Sequence, residues 1–99
     1  MPKVCRIGDP FSTGHGCTGT STVAEGAPTV FANGIPVSRV GDMSVSHTFP
    51  VGPNCVPHVV PIADGSATVF ATGIEIGRVG DPIDAGQVAD GSPDVYAGP

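Results

Sequence analysis

The segment GAPTVFANGIPVSRVGD at residues 26–42 recurs as GSATVFATGIEIGRVGD at residues 65–81, identical at 11 of 17 positions without a gap. An ungapped duplication of this kind means that one supersecondary unit is built twice and stacks on its copy to bury a shared core. A third, partial copy, GSPDVYAG at 91–98, keeps the Gly, the Val, an aromatic and the Ala. The tetrapeptide RVGD at 39–42 and 78–81 has a near copy, RIGD, at 6–9. The chain therefore carries about three related units.

Each full copy reads as a β-hairpin. The apolar run Thr29-Val30-Phe31-Ala32 is followed by Asn33-Gly34 and then by Ile35-Pro36-Val37. Asn-Gly is a strong two-residue hairpin signal because both residues tolerate positive φ. Thr72-Gly73 stands in its place in the second copy and is weaker, but it keeps the Gly. Alternation puts Ile74 and Ile76 on one face and Glu75 on the other. Pro36 has no amide donor, so it should face away from a ladder partner. Arg-x-Gly-Asp reads as the end of a strand and the start of a turn, with the Arg expected to meet an Asp of a neighbouring repeat.

Composition agrees with a mainly β class. Fifteen Gly and eleven Pro sit among 99 residues that are still 39% hydrophobic, which suits a turn-rich folded chain, expected to be a single domain spanning 1–99. Leu and Trp are absent and Val dominates the apolar set, as in strands. The net charge of −5 and four scattered cations disfavour nucleic acid as a partner. The start, MPKVCRIGDPF, lacks the apolar core of a secretory signal, so synthesis in the cytoplasm is expected. In a reducing compartment an odd set of three cysteines, Cys5, Cys17 and Cys55, is not expected to form a disulfide framework. Cys5, inside the first apolar stretch, is expected to be a small buried hydrophobe.

The units differ in their connections. The first two are long and contain all three histidines: His15 in FSTGHGC, and His47 and His58 in SHTFPVGPNCVPH. The third, PIDAGQVAD, has neither His nor Cys. A lone loop histidine is usually a surface residue, but segregation of every histidine into two loops points to a shared site. If the repeats close around a pseudo-threefold axis, the long loops converge at one end. His15, His47, Cys55 and His58 then supply four N and S donors for a structural zinc ion, with Cys17 as the rival fourth ligand.

These residues together resemble the PAAR-repeat family, whose Gly-rich β repeats end in Pro-Ala-Ala-Arg followed by Gly-Asp. Pro36-Val37-Ser38-Arg39-Val40-Gly41-Asp42 and Glu75-Ile76-Gly77-Arg78-Val79-Gly80-Asp81 occupy the motif positions, keeping Arg, Gly and Asp in both copies and Pro only in the first. The resemblance implies a small conical fold of three pseudo-threefold β-hairpin repeats with a metal-stapled apex. It implies a monomer seated on the blunt end of a trimeric β-helical spike in a contractile injection machine, either a phage tail or a type VI secretion device. Transient contact with the target envelope goes with that role. On the same ground zinc would be held by His15, His47, His58 and Cys55, and the protein would not be an enzyme.

A small zinc hydrolase is disfavoured because Glu25 and Glu75 lie far in sequence from the histidines and no general base stands beside them. A stand-alone zinc-binding β adaptor would share the metal but lack a surface for the spike. The repeats run to Pro99, so no effector module is expected. Which apolar residues among Val30, Phe31, Val69 and Phe70 face the spike and which the core is open at this level.

Overall fold

The computed structural model describes residues 1–99, with strands as the only extended regular elements. They are β1 (Pro10–Ser12), β2 (Thr20–Thr22), β3 (Phe31–Ala32), β4 (Ile35–Pro36), β5 (His47–Val51), β6 (Asn54–His58), β7 (Phe70–Ala71), β8 (Ile74–Glu75), β9 (Pro82–Ile83) and β10 (Gly86–Val88). One four-stranded sheet has the order β2-β1-β10-β9, and three two-stranded hairpins are β3-β4, β5-β6 and β7-β8. The molecule is elongated, with extents of 41 × 23 × 21 Å.

The duplicated hairpins form as their turns require. Asn33 and Gly34 have φ of 57° and 75°, and Thr72 and Gly73 have 50° and 80°. Thr72 is β-branched and pays a local penalty in that region. Its hydroxyl is fixed there, donating to the Ala71 carbonyl at 2.7 Å and accepting from Arg39 Nη1. Phe31 pairs with Pro36 and Ala32 with Ile35, so the closing pair is hydrogen-bonded and the missing Pro36 donor points outward.

The third unit is assembled from both chain ends. Lys3 bridges Tyr96 as Pro36 bridges Phe31 and Glu75 bridges Phe70, so Gly91–Pro99 supplies the first half of a repeat and Met1–Asp9 the second. The three units close on one another in a cycle. Arg6 bridges Val37, Arg39 bridges Ile76 and Arg78 bridges Val4. Around the axis Ser38 N–H donates to Cys5 O, Cys5 N–H to Gly77 O and Gly77 N–H to Ser38 O, each at 2.9 Å. The axis is thus a ring of three main-chain hydrogen bonds. Cys5 is fully buried on it, as expected, and burial pushes its thiol up to about 12.

Core packing follows the same symmetry. One cluster contains Ala32, Ala71 and Ala97 with Val37, Ile76 and Val4, each trio at equivalent repeat positions. A second contains Val23, Ile62 and Val88 with Phe11, Ile83 and Cys5. Val30 and Val69 pack against the first cluster, whereas Phe31, Phe70 and Tyr96, which follow Val30, Val69 and Val95, are each about half exposed.

The Arg-x-Gly-Asp tetrapeptides correct one expectation. Each Arg pairs with the Asp of its own motif, not with that of a neighbouring repeat. Arg Nε reaches Asp Oδ2 at 2.9, 3.2 and 3.0 Å in the pairs Arg6–Asp9, Arg39–Asp42 and Arg78–Asp81. The same Asp oxygen accepts the Arg main-chain N–H at 2.8, 2.8 and 2.7 Å, and the Asp N–H returns to the Arg carbonyl at 3.0 Å in all three. The turn is closed by the intervening glycines Gly8, Gly41 and Gly80 at φ of 88°, 90° and 92°. The free end of each guanidinium reaches the next unit: Arg6 meets Asn33, Arg39 meets Thr72 and Arg78 meets the Gly98 carbonyl.

Candidate metal centre

Beyond the second core cluster the threefold pattern breaks, because the three connections differ. His15 lies in the loop after β1. Its place is fixed by Thr13, whose hydroxyl sits at hydrogen-bond distance from the carbonyls of Thr18 (2.6 Å) and His15 (3.2 Å). His47 and His58 face each other across the root of the β5-β6 hairpin. Phe11 presses edge-on against His47, with ring centres 5.7 Å apart, and Phe49 stacks on His58 at 4.3 Å. The third connection is the two-residue turn Asp84-Ala85 between β9 and β10, with Asp84 at φ 57°.

That turn is pressed tightly onto the first loop. Ala85 N–H donates to Thr13 O at 2.9 Å, and a Cβ on Gly14 would stand 2.1 Å from the Ala85 carbonyl oxygen. A Cβ on Gly86 would meet Ser12 O at 1.9 Å. Gly at both positions lets the backbones approach and carries Asp84 to the histidines.

Three imidazoles converge on one carboxylate oxygen. Nε2 of His15, His47 and His58 lies 2.6, 2.8 and 3.3 Å from Asp84 Oδ2, and the Nε2 atoms of His47 and His58 are 2.8 Å apart. The four ligand atoms lie within 4.8 Å of one another, and the His47 side chain is 2% exposed. The tautomers of His15 and His47 follow from the carbonyls behind the rings. His15 Nδ1–H donates to Gly16 O at 2.8 Å and His47 Nδ1–H to Val45 O at 3.1 Å, since a carbonyl can only accept. Where such a ring carries no second proton, Nε2 presents a lone pair toward the carboxylate; where it does, Nε2–H donates to it. Lone pair facing lone pair at these distances is repulsive unless a proton or a metal cation lies among them. Nδ1–H groups anchored on carbonyls, with Nε2 free to converge on one point, are what metal-ligating histidines show. The cluster of three nitrogens and one oxygen can hold a metal ion.

The Gly16 carbonyl, opposed by partial burial and helped by Asp84, raises the His15 pKa above its ordinary value. Burial alone would push Asp84 up, but the His47 and His15 hydrogen bonds and the nearby imidazoles outweigh it and hold its carboxyl below the usual range.

Of the residues expected from sequence, the structure brings His15, His47 and His58 together and leaves Cys55 out. Cys55 lies three residues before His58 on an extended strand, and alternation puts positions three apart on opposite faces. The Cys-x-x-His spacing would serve one ion only from a turn. Cys55 and the rival ligand Cys17 instead form a disulfide that joins the two long loops, with Cα atoms 5.9 Å apart. The expectation of free thiols is therefore corrected: loop convergence brings together cysteines separated by 38 residues. Asp84 was missed because the third connection has no His or Cys. The available signal was that Asp84 is the one acid in that loop lying in neither the repeated tetrapeptide nor the position before a repeat glycine.

Fold and site define a small pseudo-threefold β protein with a potential metal centre at the convergence of its inter-repeat loops. The PAAR motif family model matches residues 13–89, and the chain belongs to that family. No curated protein matches it. The family is structural, associated with the puncturing tips of injection machines and not with catalysis.

Proposed function

We propose that this protein is the spike-tip subunit of a contractile injection machine, one monomer capping the end of a trimeric β-helical spike. It would be made in the cytoplasm and assembled at the tip of a phage tail or a secretion device. The observation that carries the reading is the cyclic closure of three units, with Phe31, Phe70 and Tyr96 exposed at equivalent positions. A single chain can match a threefold partner only if it repeats its own surface three times, and half-exposed aromatics are the residues that anchor such contacts. The shared edge of the spike is also a surface that needs covering. Zinc held by His15, His47, His58 and Asp84 would stiffen the opposite end, where the chain is too thin for an apolar core.

The test is native mass spectrometry of the purified chain mixed with a trimeric β-helical spike. One chain per trimer is expected, lost in the variant F31S/F70S/Y96S while its melting temperature persists. Three chains per trimer, or binding indifferent to the aromatics, would remove the reading.

A further inference from the structure

The first loop presents a metal ligand on a segment with little to hold it. His15 stands between Gly14 and Gly16, and Gly loses more conformational freedom on folding than any other residue. Cys17 follows at φ 68°, in the left-handed region that residues with a Cβ disfavour. Residues 14–17 make no main-chain to main-chain hydrogen bond, and the polar side chains that reach their backbone belong to Thr13 and to His15 itself. Three ties join this loop to the β5-β6 hairpin. Thr18 and Thr48 meet through their hydroxyls at 2.9 Å, and Thr18 N–H donates to Thr48 O at 3.2 Å. Cys17 is bonded to Cys55. His15 and His58 meet at the metal centre, with ring centres 5.2 Å apart.

The last two ties act on the same few residues. Cys17 follows His15 by two positions and Cys55 precedes His58 by three, so the disulfide and a bound ion each close the gap between one loop and one strand. The disulfide is also open to chemistry. Cys17 and Cys55 are both exposed residues, and thiol–disulfide exchange depends on access to the sulfur. Cys5, fully buried on the axis, is shielded from that exchange, which is thereby confined to one pair.

We infer that Cys17 and Cys55 form a thiol-exchange site coupled to the metal centre: the disulfide tightens metal binding, and bound metal favours the disulfide. This goes beyond the tip reading and rests only on its metal centre. In the exchange a thiolate of an external thiol attacks one sulfur of the pair, and the Cys17–Cys55 bond breaks to give a mixed disulfide. A second external thiol resolves it, so two thiols become one external disulfide while two electrons and two protons pass to Cys17 and Cys55. Coupling arises because both cross-links order residues 14–17: the first to form carries the ordering cost, and the second forms on a segment already fixed. Such couplings are commonly ~5–150-fold, and about tenfold is expected for a segment this short. Linkage makes the effect reciprocal, so bound metal should make the disulfide about tenfold harder to reduce, which is about 30 mV for a two-electron couple. The sign is diagnostic. Zinc taken up by freed thiols would favour the reduced pair, because thiolate is the ligand form.

Zinc affinity is measured by competition with a chromophoric chelator in three samples: the oxidised chain, the chain reduced by a phosphine that is then removed without oxygen, and the double variant Cys17→Ser/Cys55→Ser. The reduced and serine forms are expected to bind zinc about tenfold more weakly than the oxidised one. Metal at a thousand times Kd still nearly fills a site weakened tenfold, so the effect is read in affinity and not in metal content. The reciprocal measurement needs no variant. Wild-type chain is equilibrated in glutathione redox buffers with zinc saturating or removed by chelator, and the oxidised fraction is read by thiol alkylation and mass. The midpoint should lie about 30 mV lower with zinc, and the difference should vanish in His15→Ala. Equal affinities in the oxidised and serine forms overturn the inference, as does a midpoint that zinc leaves in place or raises. If the serine form does not fold, the wild-type midpoints decide alone. Failure of the oxidised chain to bind zinc removes the metal centre and this inference together, whereas tight zinc binding indifferent to the disulfide removes this inference only.

Discussion

Asp84→Asn tests the metal centre at the point where sequence and structure differ. Asn is nearly isosteric and tolerates the positive φ of 57° at this position, so the Asp84-Ala85 turn should keep its shape. What it removes is the only anionic donor of the four, whose oxygen lies 2.6–3.3 Å from three Nε2 atoms. Partners one shell further out typically change metal affinity ~10–100-fold, so a direct ligand is expected to change it ~100-fold or more. That is about 2.7 kcal/mol at ~1.4 kcal/mol per tenfold. With metal at about a thousand times its Kd, binding stabilises the wild-type fold by about 4 kcal/mol. At ~4–8 °C per kcal/mol for a domain of this size, a chelator should lower the wild-type melting temperature by about 16–32 °C. In Asp84→Asn the same metal concentration would retain about 1.4 kcal/mol, and the chelator shift should shrink to about 6–11 °C. Thermal melts with and without chelator, beside element analysis, read both quantities. Cys55→Ser is the counterpart: it opens the disulfide, whose 38-residue separation corresponds to about 4 kcal/mol of loop-closure entropy, and should leave metal content unchanged. The reasoning is refuted if Asp84→Asn keeps the full chelator shift while Cys55→Ser loses its metal.

Three further outcomes are expected. The metal-free and metal-loaded forms should respond oppositely to pH between about 6 and 8, the range of imidazole titration. In the metal-free form His15 has a raised pKa, so its contribution is complete below the unfolded value and is lost as pH rises through the folded one; Asp84, with a lowered pKa, contributes above its unfolded value and fails only in acid. In the loaded form protons compete with metal, so stability should rise with pH over the same window, and equal slopes in melts of the two forms would count against the site. Asp42→Ala strips the partner from the Arg39 main-chain N–H and guanidinium and should cost about 1–3 kcal/mol in denaturant unfolding, with no loss of metal. A chain permuted by linking Pro99 to Met1 and opened between Asn33 and Gly34 should fold with its metal, because Lys3 and Tyr96 already pair across the termini; failure to fold would deny that the ends form one repeat.

Much of the site was legible in the sequence. The three histidines could be grouped because they alone break the repeat pattern, and loops that interrupt a cyclic array must emerge at one end. The fourth donor was not legible. Whether Cys55 or Asp84 faces the histidines depends on whether residues 54–58 form a turn or a strand, and Cys-Val-Pro-His is compatible with either. Only pairing with residues 47–51 makes it a strand and turns the cysteine away. The approach of Asp84 depends on glycines at 14 and 86, whose role appears only when the loops they separate are packed together.

By itself the sequence determined the repeat, its hairpins and their turns, because these rest on local chemistry: Asn-Gly and Thr-Gly at positive φ, alternation of apolar residues, and the glycine of the Arg-x-Gly-Asp turn, whose Arg partner it did not reveal. It also determined the family and the confinement of all three histidines to two connections. Tertiary structure decided everything that needs distant segments to meet. It completed the third unit from Gly91–Pro99 and Met1–Asp9, which no ungapped alignment along the chain can join. It sent Phe31, Phe70 and Tyr96 outward while the alanines after them went inward, and it placed a carboxylate beside the histidines where a sulfur was expected. The physical reason is common to all three: local sequence limits the conformations open to each segment, while long-range packing selects among them.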